Sequence, residues 1–450
     1  MSLAIVGGNN QKSVADAELP VLLRVAATRA GAQSAAQAVL WEVVSGGATL
    51  AGATPTDAGG ISSVRVKLAS AGAVTIRAQL DTAKVTFNLT AVSSSTGPVL
   101  VGEVPIPPQY GIHDTFVRDG IAFVCAWNSG VIIYDVGNGR KGGSPSNPVE
   151  ISRLVTNDNA VPGGAAVHNA WWFHNPVSGE KKYLFVGQEG PATLPSLASG
   201  DLHVVDVSNL AAPVEVASLR IPGAGVHNLW MDEGKQLLYA AFYNGGVVAL
   251  DVSGTLTGDL TPRIKAQVQP GGADNTFVWG VMLSGGALWV SDFLSGFWKL
   301  DPTTLATLGG GNNVPERWGS DLWVHGQYGY TGTWGGSARN GAFGNTVKIW
   351  QLAGAGPVLV DSLRIEDVRT ISDVAVTDDG KWLVVTAERL ANQGLYLYDL
   401  ADPARPVLAG SALVPTGLHT GEVARIGGRL YVFAAKNPAE PALQVYDITR

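Results

Sequence analysis

The sequence predicts an all-β chain in two parts, a small sandwich followed by a seven-bladed propeller. Three observations carry this expectation. Apolar residues almost never recur at helical spacing, whereas short runs of Val, Ile, Leu, Tyr and Trp bounded by Gly, Asn, Asp and Pro recur throughout. Composition shifts once, around residues 93–98, from an Ala- and Val-rich segment whose only Trp is Trp41 to a Trp-rich remainder. From residue 97 onward, a four-strand unit of about 50 residues recurs.

The chain has 450 residues, of which 46% are hydrophobic and 15% charged, so it buries a large core in more than one domain. Thirty Lys and Arg against 37 Asp and Glu give a net charge of −7 without a basic run, which excludes nucleic acid as a partner. Cys125 is the single cysteine and lies in the apolar run 121–126, so it reads as a buried small hydrophobe, and neither a disulfide framework nor a Cys zinc site is available. No apolar run reaches transmembrane length. Met1-Ser2-Leu3 lacks the basic residues of a signal peptide and reads as a start placed after a removed leader.

Within the first domain, residues 1–92, the stretch 4–92 predicts about seven alternating strands, among them 21–27, 38–44, 62–68, 73–80 and 84–91, which suits a β-sandwich. Asp57 and Gly60 mark a tight turn. Val39-Leu40-Trp41-Glu42-Val43-Val44-Ser45-Gly46-Gly47, then Thr56-Asp57-Ala58-Gly59-Gly60, then Ala71-Gly72-Ala73-Val74-Thr75-Ile76-Arg77-Ala78, resemble bacterial Ig-like repeats of the invasin and intimin kind. The resemblance implies a surface spacer without chemistry of its own. Residues 93–97 read as a linker and 98–450 as the second domain.

The repeat can be aligned by its starts: Gly111-Ile112-His113-Asp114, Ala166-Val167-His168-Asn169, Gly225-Val226-His227-Asn228, Phe277-Val278-Trp279, Gly319-Ser320-Asp321, Ile371-Ser372-Asp373 and Leu418-His419-Thr420. A second and a third apolar strand follow each start. The third ends on Asp135, Asp206, Asp251, Asp301, Asp399 or Asp447, read as turn residues, with Gln351 in the odd copy. The chain stops just after the third strand of the last copy, while residues 98–104 form an orphan fourth strand before the first, so the two ends are expected to complete one blade.

Gly130-Val131-Ile132-Ile133-Tyr134-Asp135-Val136 and Leu202-His203-Val204-Val205-Asp206-Val207-Ser208 resemble the LVIVD-repeat propellers of bacterial surface proteins, choice-of-anchor B-like chains included. That resemblance implies a secreted or cell-surface location. A Trp-Asp ending per repeat, a sialidase box and a kelch double glycine are all missing.

First strands of blades line a propeller's channel, so the seven start positions predict a ring of His113, His168, His227, Val278, Ser320, Ser372 and His419. Four of the chain's seven histidines thus share one repeat position, in consecutive blades. They are the candidate metal ligands, for a single Zn, Fe or Cu ion. The residues beside them, Asp114, Asn169, Asn228, Asp321 and Asp373, are candidates to orient the imidazoles or bind a polar ligand. Loops after the second strands bring Trp127, Gln188, Tyr243, Trp334, Arg389 and Lys436 to the same face, the aromatics being candidates to stack a sugar or planar ligand. Glu189 and Glu388 are candidate catalytic bases, against a plainer reading as solvated loop charges. Segments 187–200 and 335–345 are expected to act as lids. His174, His203 and His325 fall away from the ring.

Three functional readings follow. The first is a binding module with a metal or polar-ligand site at the channel mouth, taking a small molecule, glycan or surface protein. The second is a metal-dependent enzyme of oxygenase or hydrolase type, similar by site alone to carotenoid-cleaving oxygenases. The third is a structural or adhesive protein whose histidines are inherited repeat structure.

Overall fold

The computed structural model describes residues 1–93, 97–106, 111–156, 166–190 and 192–449. Among the described residues strands dominate, and a single 3-10 turn at Thr261–Arg263 interrupts them. Among the described residues no helix is long and apolar enough to cross a membrane.

The first ninety residues form two sheets. One runs in the order Ser2–Gly7, Leu23–Arg29, Ile61–Leu68, Ala48–Ala51, and the other Lys12–Val14, Ala83–Val92, Gly72–Leu80, Leu40–Ser45. Period-two alternation turns Leu23, Val25, Val64 and Val66 of the first sheet against Val74, Ile76, Phe87 and Trp41 of the second, in one core. Trp41 Nε1 satisfies itself on Ser62 Oγ at 3.2 Å. At the expected turn, Asp57 Oδ1 accepts from the amides of Gly59 and Ile61, both at 2.9 Å, and Gly60 takes φ +75°. Of the linker expected at 93–97, residues 94–96 lie outside the described residues.

From residue 97 onward, the described strands assemble into seven antiparallel sheets of four strands, one of which gains the short strand Gly258–Asp259. The first strands are Asp114–Arg118, Ala166–Trp172, Leu229–Asp232, Val278–Ser284, Trp318–His325, Thr370–Val376 and Leu418–Ile426. Each contacts the next, and Leu418–Ile426 contacts Asp114–Arg118, so they enclose a common axis. Second and third strands such as Ile121–Cys125 and Val131–Asp135 are buried on both faces because sheets stack on either side. Outermost strands such as Val358–Arg364 face solvent. Cys125 is fully buried, as expected of a small hydrophobe.

The aspartates closing the third strands are turn formers. Oδ1 of Asp206, Asp251, Asp301, Asp399 and Asp447 accepts from the amide two residues on, at 2.7–3.0 Å. The two ends of the repeat region meet: Val99–Pro105 pairs antiparallel with Ala442–Asp447, from Val99 opposite Asp447 to Pro105 opposite Ala442.

The two expected lids are tied down. Strand Tyr183–Glu189 takes up the start of segment 187–200, Gly190 N donates to Ser199 O at 2.7 Å, and Thr193 pairs with Leu197; residue 191 lies outside the described residues. In segment 335–345, Arg339 and Ala342 exchange two backbone hydrogen bonds of 2.9 Å, and Arg339 Nη1 donates to Leu294 O at 2.8 Å. Backbone groups satisfied in this way hold a loop closed.

Candidate metal centre at the channel mouth

The histidines reach the channel through β-bulges. His168 falls where the register against Tyr183–Glu189 shifts, between Val167 and Asn169, and the same shift occurs around Ser372 and around His419 and Thr420. His113 and Asp114 both face Cys125, and His227 and Asn228 both face Ala241, the equivalent two-against-one arrangement. The extra residue of a bulge breaks alternation and re-aims a side chain. In the fourth copy the shift lies between Val278 and Gly280, so Trp279 occupies the ring position expected for Val278. Val278 is instead fully buried in the core between sheets.

Ring centroids of His113 and His168 are 3.8 Å apart, His168 and His227 4.0 Å, and His113 and His419 4.1 Å. The four imidazoles therefore do converge, yet they divide into different roles. Glu189 Oε2 lies 3.8 Å from His113 Nε2 and 3.6 Å from His168 Nε2. Among the described residues, His113, His168 and Glu189 are the group whose potential ligand atoms all lie within 4.8 Å of one another. His227 leans on Trp279 at 4.3 Å, and His419 Nδ1 is held by Glu388 Oε1. Of the four histidines expected as metal ligands, His113 and His168 join Glu189 in the group that could hold an ion, while Glu388 and Trp279 engage the rings of His419 and His227.

Glu189 and Glu388 are not solvated loop charges. Each ends a second strand, and Glu388 is only 5% exposed. Tyr243 is no stacking platform for a ligand, since Phe277 stacks on it at 4.3 Å and its hydroxyl donates to Glu189 Oε1 at 2.6 Å. Trp127 meets His113 edge-on at 4.5 Å, and Trp334 packs on Trp279 at 5.3 Å beneath the Arg389 guanidinium. Gln188 is absorbed into structure by donating to Thr156 Oγ1, and Lys436 by pairing with Glu440. His203 pairs with Glu215 and His174 packs on Trp172, away from the site as expected.

Buried polar atoms are ordinarily hydrogen-bonded. Here both ring nitrogens of His168 and Nδ1 of His113 and His227 have no hydrogen-bond partner, although these residues are 1%, 5% and 3% exposed. Burial pushes His113 and His168 well below the usual imidazole range and His227 down to about 3, so all three are neutral with free lone pairs. Burial also raises Glu189, an effect that its Tyr243 hydrogen bond opposes. At His419 burial works downward, and the Glu388 carboxylate overcomes it to raise the imidazole.

One step along each first strand, Asp114, Asn169, Asn228, Asp321 and Asp373 form a second level of the channel. Asn169 Nδ2 donates to Asp114 Oδ2 at 2.6 Å, Asn228 Nδ2 to Asp321 Oδ1 at 2.8 Å, and Gly421 N to Asp373 Oδ2 at 2.7 Å. They bind one another across sheets more than they orient imidazoles. A third level, three residues past each ring position, is made of Phe116, Trp171, Trp230, Met282, Trp323, Ala375 and Glu422, and sequence reasoning missed it. Its signal was present in the aligned repeats as a bulky residue at one fixed offset. Together the levels line a cavity of about 190 Å³.

The LVIVD repeat family matches residues 197–220. No curated protein matches the sequence. Solved structures similar to this chain include one in the crystal structure of the mitotic checkpoint complex, at TM-score 0.57 and 12% identity over 80% of this chain and 97% of that one. The WD40 β-propeller domain of Doa1 is similar at TM-score 0.56 and 9% identity, over 79% and 99%. The C-terminal WD40 domain of Sif2 is similar at TM-score 0.50 and 11% identity, over 78% and 99%. The chain is therefore an all-β protein with a β-propeller fold, and at these identities the likeness speaks to fold alone.

Proposed function

We propose that this chain is a secreted or cell-surface binding module that holds one transition metal, Zn, Fe or Cu, on His113, His168 and Glu189. An Ig-like sandwich at 1–92 and a linker at 93–97 would carry a seven-bladed LVIVD-type propeller at 98–450. The seven four-stranded sheets, one per sequence repeat, support the blade count, and two sheets sharing one core support the Ig-like reading. The LVIVD match supports an extracellular setting.

The observation that carries the metal is His168: 1% exposed, both ring nitrogens unpartnered, one of them facing the Glu189 carboxylate at 3.6 Å. A metal satisfies such lone pairs, and neutral imidazoles bind it without first losing a proton. Two imidazoles and one carboxylate leave coordination positions for a group brought by a small molecule, glycan or surface protein.

A second reading, a metal-dependent hydrolase or oxygenase, is favoured by His419. Its ring lies 4.1 Å from that of His113, and Glu388 supports its protonated form, which places a proton donor beside the metal ligands.

Elemental analysis by plasma mass spectrometry of untagged protein tests the metal. About one transition metal per chain, lost in His168→Ala and in Glu189→Gln, is expected. No metal after reconstitution with Zn, Fe and Cu in a folded wild-type protein would refute it.

A further inference from the structure

The channel below the histidines has a chemistry that the metal ligands leave unused. Among the described residues lining the cavity of about 190 Å³, Asp114, Asp321, Asp373 and Glu422 carry carboxyl groups and none is Lys or Arg. The third level is an arc of π-faces: Phe116 to Trp171 at 5.2 Å, Trp171 to Trp230 at 5.2 Å and Trp230 to Trp323 at 6.2 Å between centroids. Ala375 and Glu422 interrupt the arc, Ala375 leaving room and Glu422 supplying a carboxylate at the level of the indoles.

Two further polar atoms of the lining have no partner within the protein. Thr115 Oγ1 and His227 Nδ1 both belong to residues lining the cavity, 3% exposed each, and both lack a hydrogen-bond partner. A buried polar group in this state can hydrogen-bond a ligand or an ordered water.

We propose that this cavity is a receptor site for a small organic ammonium ion, held between the carboxylates of Glu422, Asp114 and Asp321 and the indoles of Trp171, Trp230 and Trp323. Four carboxyl groups against His419, the lining residue that can carry a positive charge, favour a cationic ligand, and indole faces attract alkylammonium groups through the ring quadrupole. A bare metal ion fits worse, because the space is several times that of one water, about 30 Å³, and indoles do not ligate hard cations. Phe116, Trp171 and Trp230 are mutually tilted by 42° and 59°, so they enclose a rounded head rather than offering the flat platform that a sugar ring stacks on. Two of the proposed metal ligands, His113 and His168, line the same cavity whereas Glu189 does not, so a substitution at Glu189 separates the two sites.

The test is calorimetric and fluorescence titration of the full chain with tetramethylammonium, choline and butylammonium chlorides. Neohexyl alcohol, the uncharged isostere of choline, together with glucose and calcium chloride, provides the comparison. At least one ammonium ion is expected to bind with a change in tryptophan emission, about tenfold or more tighter than the neutral isostere. Glu422→Gln and Trp230→Leu should each weaken it about tenfold, whereas Glu189→Gln should abolish metal retention and leave ammonium binding intact. Should Trp230→Leu fail to fold, Glu422→Gln carries the test. Failure of all three ammonium ions to bind, equal binding of the neutral isostere, or binding of glucose or calcium alone would each overturn the proposal.

Discussion

Tyr243 donates its hydroxyl hydrogen to Glu189 Oε1 at 2.6 Å, which leaves Oε2 as the oxygen turned toward His113 and His168. Tyr243 is itself buried, 1% exposed and packed between Phe277 at 4.3 Å and His227 at 5.1 Å. Its backbone takes φ +40°, so it occupies a turn position that few residues tolerate. The carboxylate is thereby oriented before any metal arrives. Partners that orient a ligand in this way are typically worth about 10- to 100-fold in metal affinity. Tyr243→Phe keeps the ring and removes only the hydroxyl, so metal affinity measured by chelator competition should fall by about that factor, with melting temperature nearly unchanged.

A buried ion pair lies in the sheet that Val99–Pro105 completes. Arg429 donates Nε and Nη2 to Asp447 Oδ2 at 3.0 and 2.6 Å, and Asp447, 3% exposed, sits opposite Val99 in the sheet that joins the two ends of the repeat region. Removing one partner strands a buried charge, which costs about 3–5 kcal/mol, whereas replacing both by apolar residues is often neutral. Arg429→Met should therefore lower stability in urea by about that amount and open the strand Val99–Pro105 to proteolysis. Arg429→Met with Asp447→Leu should recover most of the loss.

Much of this architecture was legible because each repeat states its period openly. Apolar strands bounded by turn residues gave the element order, and the aspartates at the ends of third strands proved to be the turn formers they resemble. Residues 98–104 announced themselves as a strand without a blade. Register was harder, because a bulge adds one residue to one strand and leaves no mark in hydrophobic periodicity. Val278 and Trp279 are both apolar, so only the pairing of Val278 with Asp292 and of Gly280 with Ser291 shows which one turns inward. Glu189 and Glu388 were undervalued for a related reason: a strand that runs two or three residues past its apolar core carries a charge into the site, and composition marks that stretch as loop. The indoles of Trp171, Trp230 and Trp323 escaped notice because a bulky residue in a first strand is ordinarily read as core.

Asp292 gives a pH dependence separate from the proposed metal site. Its carboxylate is fully buried, with Oδ1 accepting from the amides of Leu294 and Ser295 and Oδ2 from Phe277, and burial nevertheless raises its pKa to about 6. A carboxyl whose folded pKa lies above its unfolded value of 3.8 contributes most below that value and loses the contribution as pH rises through about 6. The shift corresponds to about 3 kcal/mol. Urea midpoints of the wild type should fall between about pH 4 and pH 7. Asp292→Asn, which cannot ionise, should lack that portion of the slope. Parallel profiles for the two proteins would show that other groups set the dependence.

Placing histidine at each of the two neighbouring positions in the fourth blade tests the bulge register directly. Val278 is fully buried in a core with Tyr239, Val247, Val281, Leu288 and Val290, so an imidazole there would be an unpartnered polar group inside an apolar wall. Trp279 faces the channel beside His227, with Trp334 at 5.3 Å and Phe293 stacked on it at 5.3 Å, so an imidazole there loses ring contacts and gains a polar setting. Val278→His is expected to destabilise the protein by more than about 4 kcal/mol, the range reserved for buried unsatisfied groups. Trp279→His should cost about 1–3 kcal/mol and place a fifth imidazole at the ring level, next to His227. Urea unfolding separates the two cases, and a milder effect at position 278 than at 279 would mean that the register was assigned to the wrong residue.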